Sequence, residues 1–461
     1  MTGPPAPRRP PKLPRPAPAP VTVSPRLAAL EAALAGLDRA AARSRVDQFW
    51  RAHEGESWPL LEEPGPAVAG GGLIVTFLWR DPQAVEVLLF VNRITDERDL
   101  AASLMRRVAD SDIWHLSYRM GTDWRASYSF LPRYPGQDWP WAADDQPSIR
   151  AALDRGRADP RNPSTNRNRQ GVVQSVVELP EAPAQSWLRP RSPRARGRVT
   201  AELGPDRRRV WVYQPPGQAD HLSLADRLGL VGDSVDQAER LGPVGDPADR
   251  TERLAAVDRP AGGAGRLPVV VLLDGEVWTS SQDATTTLDN LLADGLIRPA
   301  LVLMPDSGGR ERRWAEMDGS GGTAAWLVER LLPWARQHYL ASDDPADVIV
   351  AGQSLGGLTA LRAALEHPTA VGGALAQSAS LWQSDLGPTL AGRDLSRLRA
   401  YIEVGSQEWI LRGPNQRLAQ LLSAAGAAVR FVEYNGGHDY ACWRGGLADG
   451  LRHLLPAGAA L

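Results

Sequence analysis

At 461 residues the chain is too long for one ordinary core, so two domains are the default expectation. A formal net charge of -2 and an ordinary apolar share argue against a nucleic-acid binder or a membrane-surface protein. One cysteine, Cys442, excludes an internal disulfide and a multi-thiolate metal site, so no metal or cofactor is expected and a reducing compartment, most simply the cytoplasm, fits.

In chain order, "MTGPPAPRRPPKLPRPAPAP" has positive charges but no apolar stretch, so it does not read as a signal peptide. Its proline density predicts a disordered tail over 1–25. Leu27, Leu30, Leu34 and Leu37 recur at helical spacing and predict one amphipathic helix within 26–53. From about 73 the period shortens: "LIVTFLWRD", "VEVLLFVN", "IWHLSYRM" and "RASYSFLP" read as strands of a small antiparallel sandwich. Helix and sandwich together make a first domain over 26–150.

The polar run "DRGRADPRNPSTNRNRQG" reads as a connector. With "VVQSVVELP" and "RRRVWVYQP" it fills 151–214, taken as the connector and first strands of the second domain. Residues 215–266 hold charges, glycines and prolines with little periodicity, which suits an insertion loop, either a lid or unstructured chain. Over 267–461, continuous apolar runs such as "LPVVVLLDG", "PALVLMPD" and "DVIVAGQS" alternate with helical patterns. That alternation predicts an α/β domain with a mostly parallel, doubly wound sheet.

Within it, "VIVAGQSLGGLTALRAALEH" runs from an apolar strand through Gly352-Gln353-Ser354-Leu355-Gly356 into a helix. A serine hydroxyl is a weak nucleophile and needs exposure, a base and a charge sink. A strained strand-to-helix turn gives the exposure, and glycines two before and two after the serine avoid side-chain clashes. Leu355 opens the helix, so its N–H can serve an oxyanion. The second donor is expected after the first core strand, at Gly275 or Glu276 in "LLDGEVW", with Asp274 organising that loop.

Of seven histidines, only His438 in "YNGGHDYACW" follows a late strand, where the base of such a serine belongs. For the acid, Glu408 lies four residues past the last valine of "AYIEV". Asp439 is the alternative, although adjacent side chains diverge and it suits a helix start better. Glu403 sits inside the strand and should point into or across the sheet.

Together, "VVVLLDGEVW", "AGQSLGGLTAL", "AQSASLW" and "GGHDYACWRGGL" resemble the enterochelin esterases, and "VTFLWRDP" and "DIWHLSYRMGTDWRASYSFLP" resemble that family's N-terminal domain. The resemblance implies an α/β-hydrolase domain preceded by an all-β immunoglobulin-like sandwich. It also implies hydrolysis of the ester bonds of a catecholate trilactone siderophore, with Ser354 as nucleophile and His438 as general base. The partner would be that siderophore as its ferric complex, an aromatic trianion, so arginines and tryptophans are expected to line the site. Arg313, which with Glu316 matches a family arginine-x-x-glutamate pattern, and Arg444 are the candidate cations. Trp278, Trp382 and Trp443 are the candidate aromatic faces, with Trp314 and Trp409 close by in sequence. An acyltransferase or peptidase on the same fold, or an inactive siderophore-binding protein, are the other readings open to these residues.

Overall fold

The computed structural model describes residues 11–457 apart from 12, 18, 57, 65–70, 110, 142–144, 192–195, 218–265 and 320. Most of the 215–266 insertion therefore lies outside the described residues.

Among the described residues eight strands build the first domain: β1 (Leu60–Glu62), β2 (Leu73–Arg80), β3 (Glu86–Val91), β4 (Arg106–Arg107), β5 (Ile113–Met120), β6 (Arg125–Arg133), β7 (Thr165–Arg167) and β8 (Val173–Glu178). They form two four-stranded antiparallel sheets, in the orders β1-β2-β5-β4 and β3-β6-β8-β7. Inward residues from both sheets, among them Phe77, Leu89, Tyr118, Tyr128 and Phe130, share one core. Alternation along each strand aims these side chains at the facing sheet.

Four sequence expectations change here. The amphipathic segment is two helices, Pro25–Leu34 and Arg39–Ala52, because Gly36 turns left-handed at φ 80° and Asp38 caps the second one. Leu27, Leu30, Val46, Phe49 and Trp50 of these helices pack with Leu60 and Leu78 of the first sheet. "VVQSVVELP" supplies β8, which pairs with β6, so it belongs to the sandwich and not to the second domain. The supposed connector holds β7 and is part of the same sheet. The end of the tail pairs with the sandwich: Thr22 N–H donates to the Ser117 carbonyl at 3.0 Å and Arg119 N–H to the Pro20 carbonyl at 3.1 Å.

The described residues of the second domain build a mixed eight-stranded sheet. Its strands are β9 (Arg198–Leu203), β10 (Arg209–Gln214), β11 (Val269–Leu272), β12 (Leu301–Pro305), β13 (Val348–Gln353), β14 (Gly373–Gln377), β15 (Arg399–Gly405) and β16 (Ala428–Tyr434). The order is β16-β15-β14-β13-β11-β12-β10-β9. The six strands β11 to β16 run parallel, and β9 and β10 close one edge antiparallel. The strands β11 to β15 are buried on both faces: Val269 and Val271 meet the helix Leu355–Glu366 side, Val270 and Leu272 the helix Tyr440–Leu454 side. This is why these segments read as unbroken apolar runs. Among the described residues no helix is long and apolar enough to cross a membrane.

Candidate active site

The C-terminal ends of β11, β13, β15 and β16 converge at one edge of the sheet, where ligands bind in open α/β folds. Ser354 sits between β13 and the helix Leu355–Glu366 at φ 58°, ψ -116°. A residue with a Cβ rarely occupies that region, and such strain concentrates at functional turns. The turn is closed so tightly that a Cβ on Gly352 would lie 2.6 Å from the Gly356 carbonyl carbon. Backbone bonds hold it: Ser354 N–H donates to the Gln377 carbonyl at 2.8 Å, and Leu358 N–H to the Ser354 carbonyl at 3.1 Å. The half-buried Ser354 Oγ shares a 3.1 Å hydrogen bond with Ser380 Oγ.

His438 follows β16, and Glu408 follows β15. His438 Nδ1 lies 2.5 Å from Glu408 Oε1. The other carboxylate oxygen accepts from Ser378 Oγ at 2.6 Å and Gly405 N–H at 2.8 Å. Trp443 donates to Ser378 Oγ at 3.0 Å and sets its ring edge against His438, centroids 4.6 Å apart. Burial would raise the Glu408 carboxyl, but the adjacent imidazole outweighs it and holds the group below the usual carboxylate range. Burial lowers His438 below the ordinary imidazole value, Glu408 pulls it back up, and Arg93 adds to the lowering.

Asp439 turns away from this pair. It caps the helix Tyr440–Leu454, accepting from Ala441 N–H at 2.9 Å, and reaches Ser127 of the sandwich, N–H at 2.6 Å and Oγ at 2.8 Å. Glu403 points into the sheet, where Gln377 donates to it at 2.7 Å and burial pushes its carboxyl up to about 8.

After β11, Asp274 takes φ 64° and the short helix Gly275–Trp278 begins. The N–H groups of Gly275, Glu276 and Leu355 stand at helix starts, where no acceptor exists within the helix. Only glycine fits at 275, since a Cβ there would meet the Met304 carbonyl oxygen at 2.2 Å. A Cβ on Gly356 would lie 3.7 Å from Asp274 Oδ2, so this loop packs directly on the serine turn. The Glu276 side chain is drawn off toward Ser307 N–H (3.0 Å) and Arg169 (2.6 Å).

Neither arginine expected to meet substrate is free to do so. Arg313 makes a two-pronged contact with the buried Asp274, Nε to Oδ1 at 2.6 Å and Nη2 to Oδ2 at 2.8 Å. Its position in the first turns of Arg310–Met317 serves the loop and not an open cleft. Arg444 donates to the Thr165 carbonyl at 3.0 Å and to Gln185 at 3.2 Å, tying the last helix to β7. Trp278 and Trp443 are 1% and 3% exposed and are packed supports. Trp382 is half-buried and meets Trp314 at 6.2 Å, so it keeps ring surface near Ser380.

Arg169 was not singled out from the sequence. It crosses from the sandwich to Asp274 at 3.0 Å, to Glu276 and to Ser307 Oγ at 2.8 Å. Burial would raise the Asp274 carboxyl, yet Arg313 and Arg169 overcome it and hold it at about 2. Its contribution to stability is therefore present above about pH 4 and fades as the pH falls toward 2. Asp274→Asn should cost about 3–5 kcal/mol, because it leaves a buried guanidinium without its counter-charge. Denaturant titration at neutral pH would read this, and a loss below about 1 kcal/mol would contradict it.

Family models match both halves: "Enterochelin esterase, N-terminal" over residues 74–188 and "Putative esterase" over 252–454. An iron(III) enterobactin esterase of Dickeya dadantii is 30% identical, covering 89% of this chain and 93% of that protein. An iron(III) salmochelin esterase of Escherichia coli is 28% identical, covering 88% and 93%. Among solved structures, a ferric enterobactin esterase from Salmonella typhimurium superposes with a TM-score of 0.68 at 27% identity, over 88% of this chain and 98% of that one. The Shigella flexneri enterobactin esterase, solved in the presence of enterobactin, gives 0.65 at 27% identity, over 88% and 97%.

Proposed function

Since this chain belongs to the enterochelin esterase family, we propose that its reaction, hydrolysis of the ester bonds of a catecholate siderophore, runs through Ser354, His438 and Glu408. The observation that carries the assignment is the 2.5 Å contact between His438 Nδ1 and a fully buried Glu408, at the sheet edge that also bears the strained Ser354. A carboxylate on Nδ1 fixes the tautomer and leaves Nε2 to act as base.

Ser354 Oγ gives up its bond to Ser380, attacks the ester carbonyl and passes its proton to His438 Nε2. The oxyanion is met by the N–H of Leu355 and of Gly275 or Glu276. Collapse breaks the ester bond, and His438 returns the proton to the leaving alkoxide. Water then repeats the sequence on the acyl-serine and frees the acid. Asp274, Arg313 and Arg169 hold the oxyanion loop, and Trp382 with Trp314 offers the catechol an aromatic face.

We assign the ferric complex as the form bound and the cytoplasm as the compartment, which suits a lone, buried cysteine. We read the sandwich as immunoglobulin-like, a reading supported by its strand orders: β1-β2-β5-β4 and β3-β6-β8 match the A-B-E-D and C-F-G orders of that fold, with β7 added at the edge.

Chromatography of enterobactin incubated with the enzyme tests the reading: linear and monomeric acids should appear with wild type and not with Ser354→Ala. A pH profile tests the base. His438 must be neutral to accept a proton, and its pKa is lowered, so the acid limb of kcat/KM should fall below about 6.5. A limb at or above that value would contradict the lowering, and a limb that persists in His438→Ala would remove His438 as the base.

A further inference from the structure

The loop that carries His438 is pressed against a turn of the sandwich. After β3 the chain turns through Asn92 and Arg93, with Ile94 N–H donating to the Val91 carbonyl at 3.1 Å. Asn92 Nδ2 donates to the His438 carbonyl at 3.0 Å. Gly437, the residue before His438, has no room for a side chain: its Cβ would lie 2.3 Å from Arg93 Cγ and 2.6 Å from Asn92 Oδ1. The aliphatic stem of Arg93 thus occupies the space beside the proposed base.

Beyond the stem, the Arg93 guanidinium lies 5.5 Å from the ring centre of Trp409, the residue after Glu408. Arg15 of the proline-rich tail lies 5.3 Å from the same ring. The nearby cations differ in one respect. Arg15 pairs with Asp96 at 3.1 Å and donates to the Ile94 carbonyl at 2.7 Å, and Arg150 pairs with Glu97. Arg15 also donates to the Arg93 carbonyl, but among the described residues the Arg93 guanidinium, alone of the three, has no hydrogen-bond or ion-pair partner, although the residue is half-buried. The Trp409 indole N–H and Asn92 Oδ1 are buried beside it, also without partners. A half-buried guanidinium with no carboxylate in direct contact, Glu408 and Glu97 acting on it only through space, is costly, as is an arginine at φ 63°, where glycine would be unstrained. Both costs fall on one residue next to the reacting groups, the pattern of a site kept for a ligand.

We infer that Arg93, carried by the sandwich domain, binds the anionic catecholate of the substrate and positions its ester over Ser354 and His438. This rests on the siderophore-esterase reading and adds to it: the first domain completes the active site. Ferric tris-catecholate is a trianion, whereas the iron-free trilactone is neutral, so one substrate supplies both arms of a charge test.

Arg93→Gly removes the cation and suits the left-handed backbone, so the turn survives. Arg93→Lys keeps the charge. Steady-state kinetics of the full chain would use ferric enterobactin, iron-free enterobactin and p-nitrophenyl butyrate. Arg93→Gly should raise KM for the ferric complex roughly ten- to a hundredfold, the effect of losing one charge-assisted contact. That loss should exceed the loss on the iron-free trilactone by at least about tenfold, and Arg93→Lys should recover most of it. Equal losses on all three esters would reduce Arg93 to a support of the His438 loop and overturn the proposal. No loss on the ferric complex, with wild type active on both forms, would overturn it while leaving the esterase reading intact. Wild type that cleaves p-nitrophenyl butyrate but neither siderophore form would overturn the substrate reading and this proposal with it.

Discussion

Ser354→Ala should lower kcat by roughly 10⁶-fold while leaving the melting temperature nearly unchanged, because in the proposed mechanism the hydroxyl performs the chemistry while the backbone makes the turn. The φ of 58° is imposed by bonds that alanine keeps. These are Ser354 N–H to the Gln377 carbonyl at 2.8 Å, Ser380 N–H to the Ser354 carbonyl at 3.0 Å, and the Gly352–Gly356 approach. What alanine removes is one half-buried hydroxyl contact with Ser380 Oγ, a term on the order of 1 kcal/mol or less. Thermal melts beside chromatography of the digested trilactone would separate the two effects. A variant keeping more than about a tenth of the activity would move the chemistry away from Ser354.

The serine turn could be read in the sequence because each part has a local signature. A strand buried on both faces reads as an apolar run, and a tight turn demands glycines at fixed offsets. Glu408 and His438 could be placed from chain order, since both follow late strands. Pairings across long sequence gaps left no such trace. Arg313 looked like a ligand for an anion because its partner Asp274 lies 39 positions earlier, on the loop after β11. Arg444 looked free because the acceptor that holds it is a carbonyl of β7, in a segment read as a connector. That misreading had a physical cause: β7 has three residues, and β8 is an ordinary strand whose sheet is decided by tertiary pairing with β6. Arg93 and Arg169 were missed for the same reason. Each carries its meaning across the domain junction, and neither "FVNRITD" nor "NRNRQG" encodes what it will face.

The junction also decides how the acid should be tested. Glu408→Gln should lower kcat roughly 10⁴-fold, the loss seen when a serine-protease histidine is held in the wrong tautomer. Glu408 is fully buried and accepts on both oxygens, from Ser378 Oγ and Gly405 N–H on one and facing His438 Nδ1 on the other. A glutamine has one acceptor oxygen. If that oxygen faces Gly405, the amide NH₂ points at Nδ1, which must then accept, so the proton moves to Nε2 and the base is blocked. If it faces His438 instead, the NH₂ opposes the Gly405 N–H, a buried clash of donors that should push the loop apart. The first arrangement removes a competent base and the second strains the loop that holds it, so turnover should fall without a matching rise in KM. Asp439→Asn serves as the contrast. Asp439 bonds Ser127 and Ala441 and makes no contact with the imidazole, so its loss should appear chiefly in stability and domain docking, at about 1–3 kcal/mol. Near-normal turnover in Glu408→Gln, with a collapse in Asp439→Asn, would transfer the acid's role to Asp439 and require the His438 loop to rearrange when substrate binds.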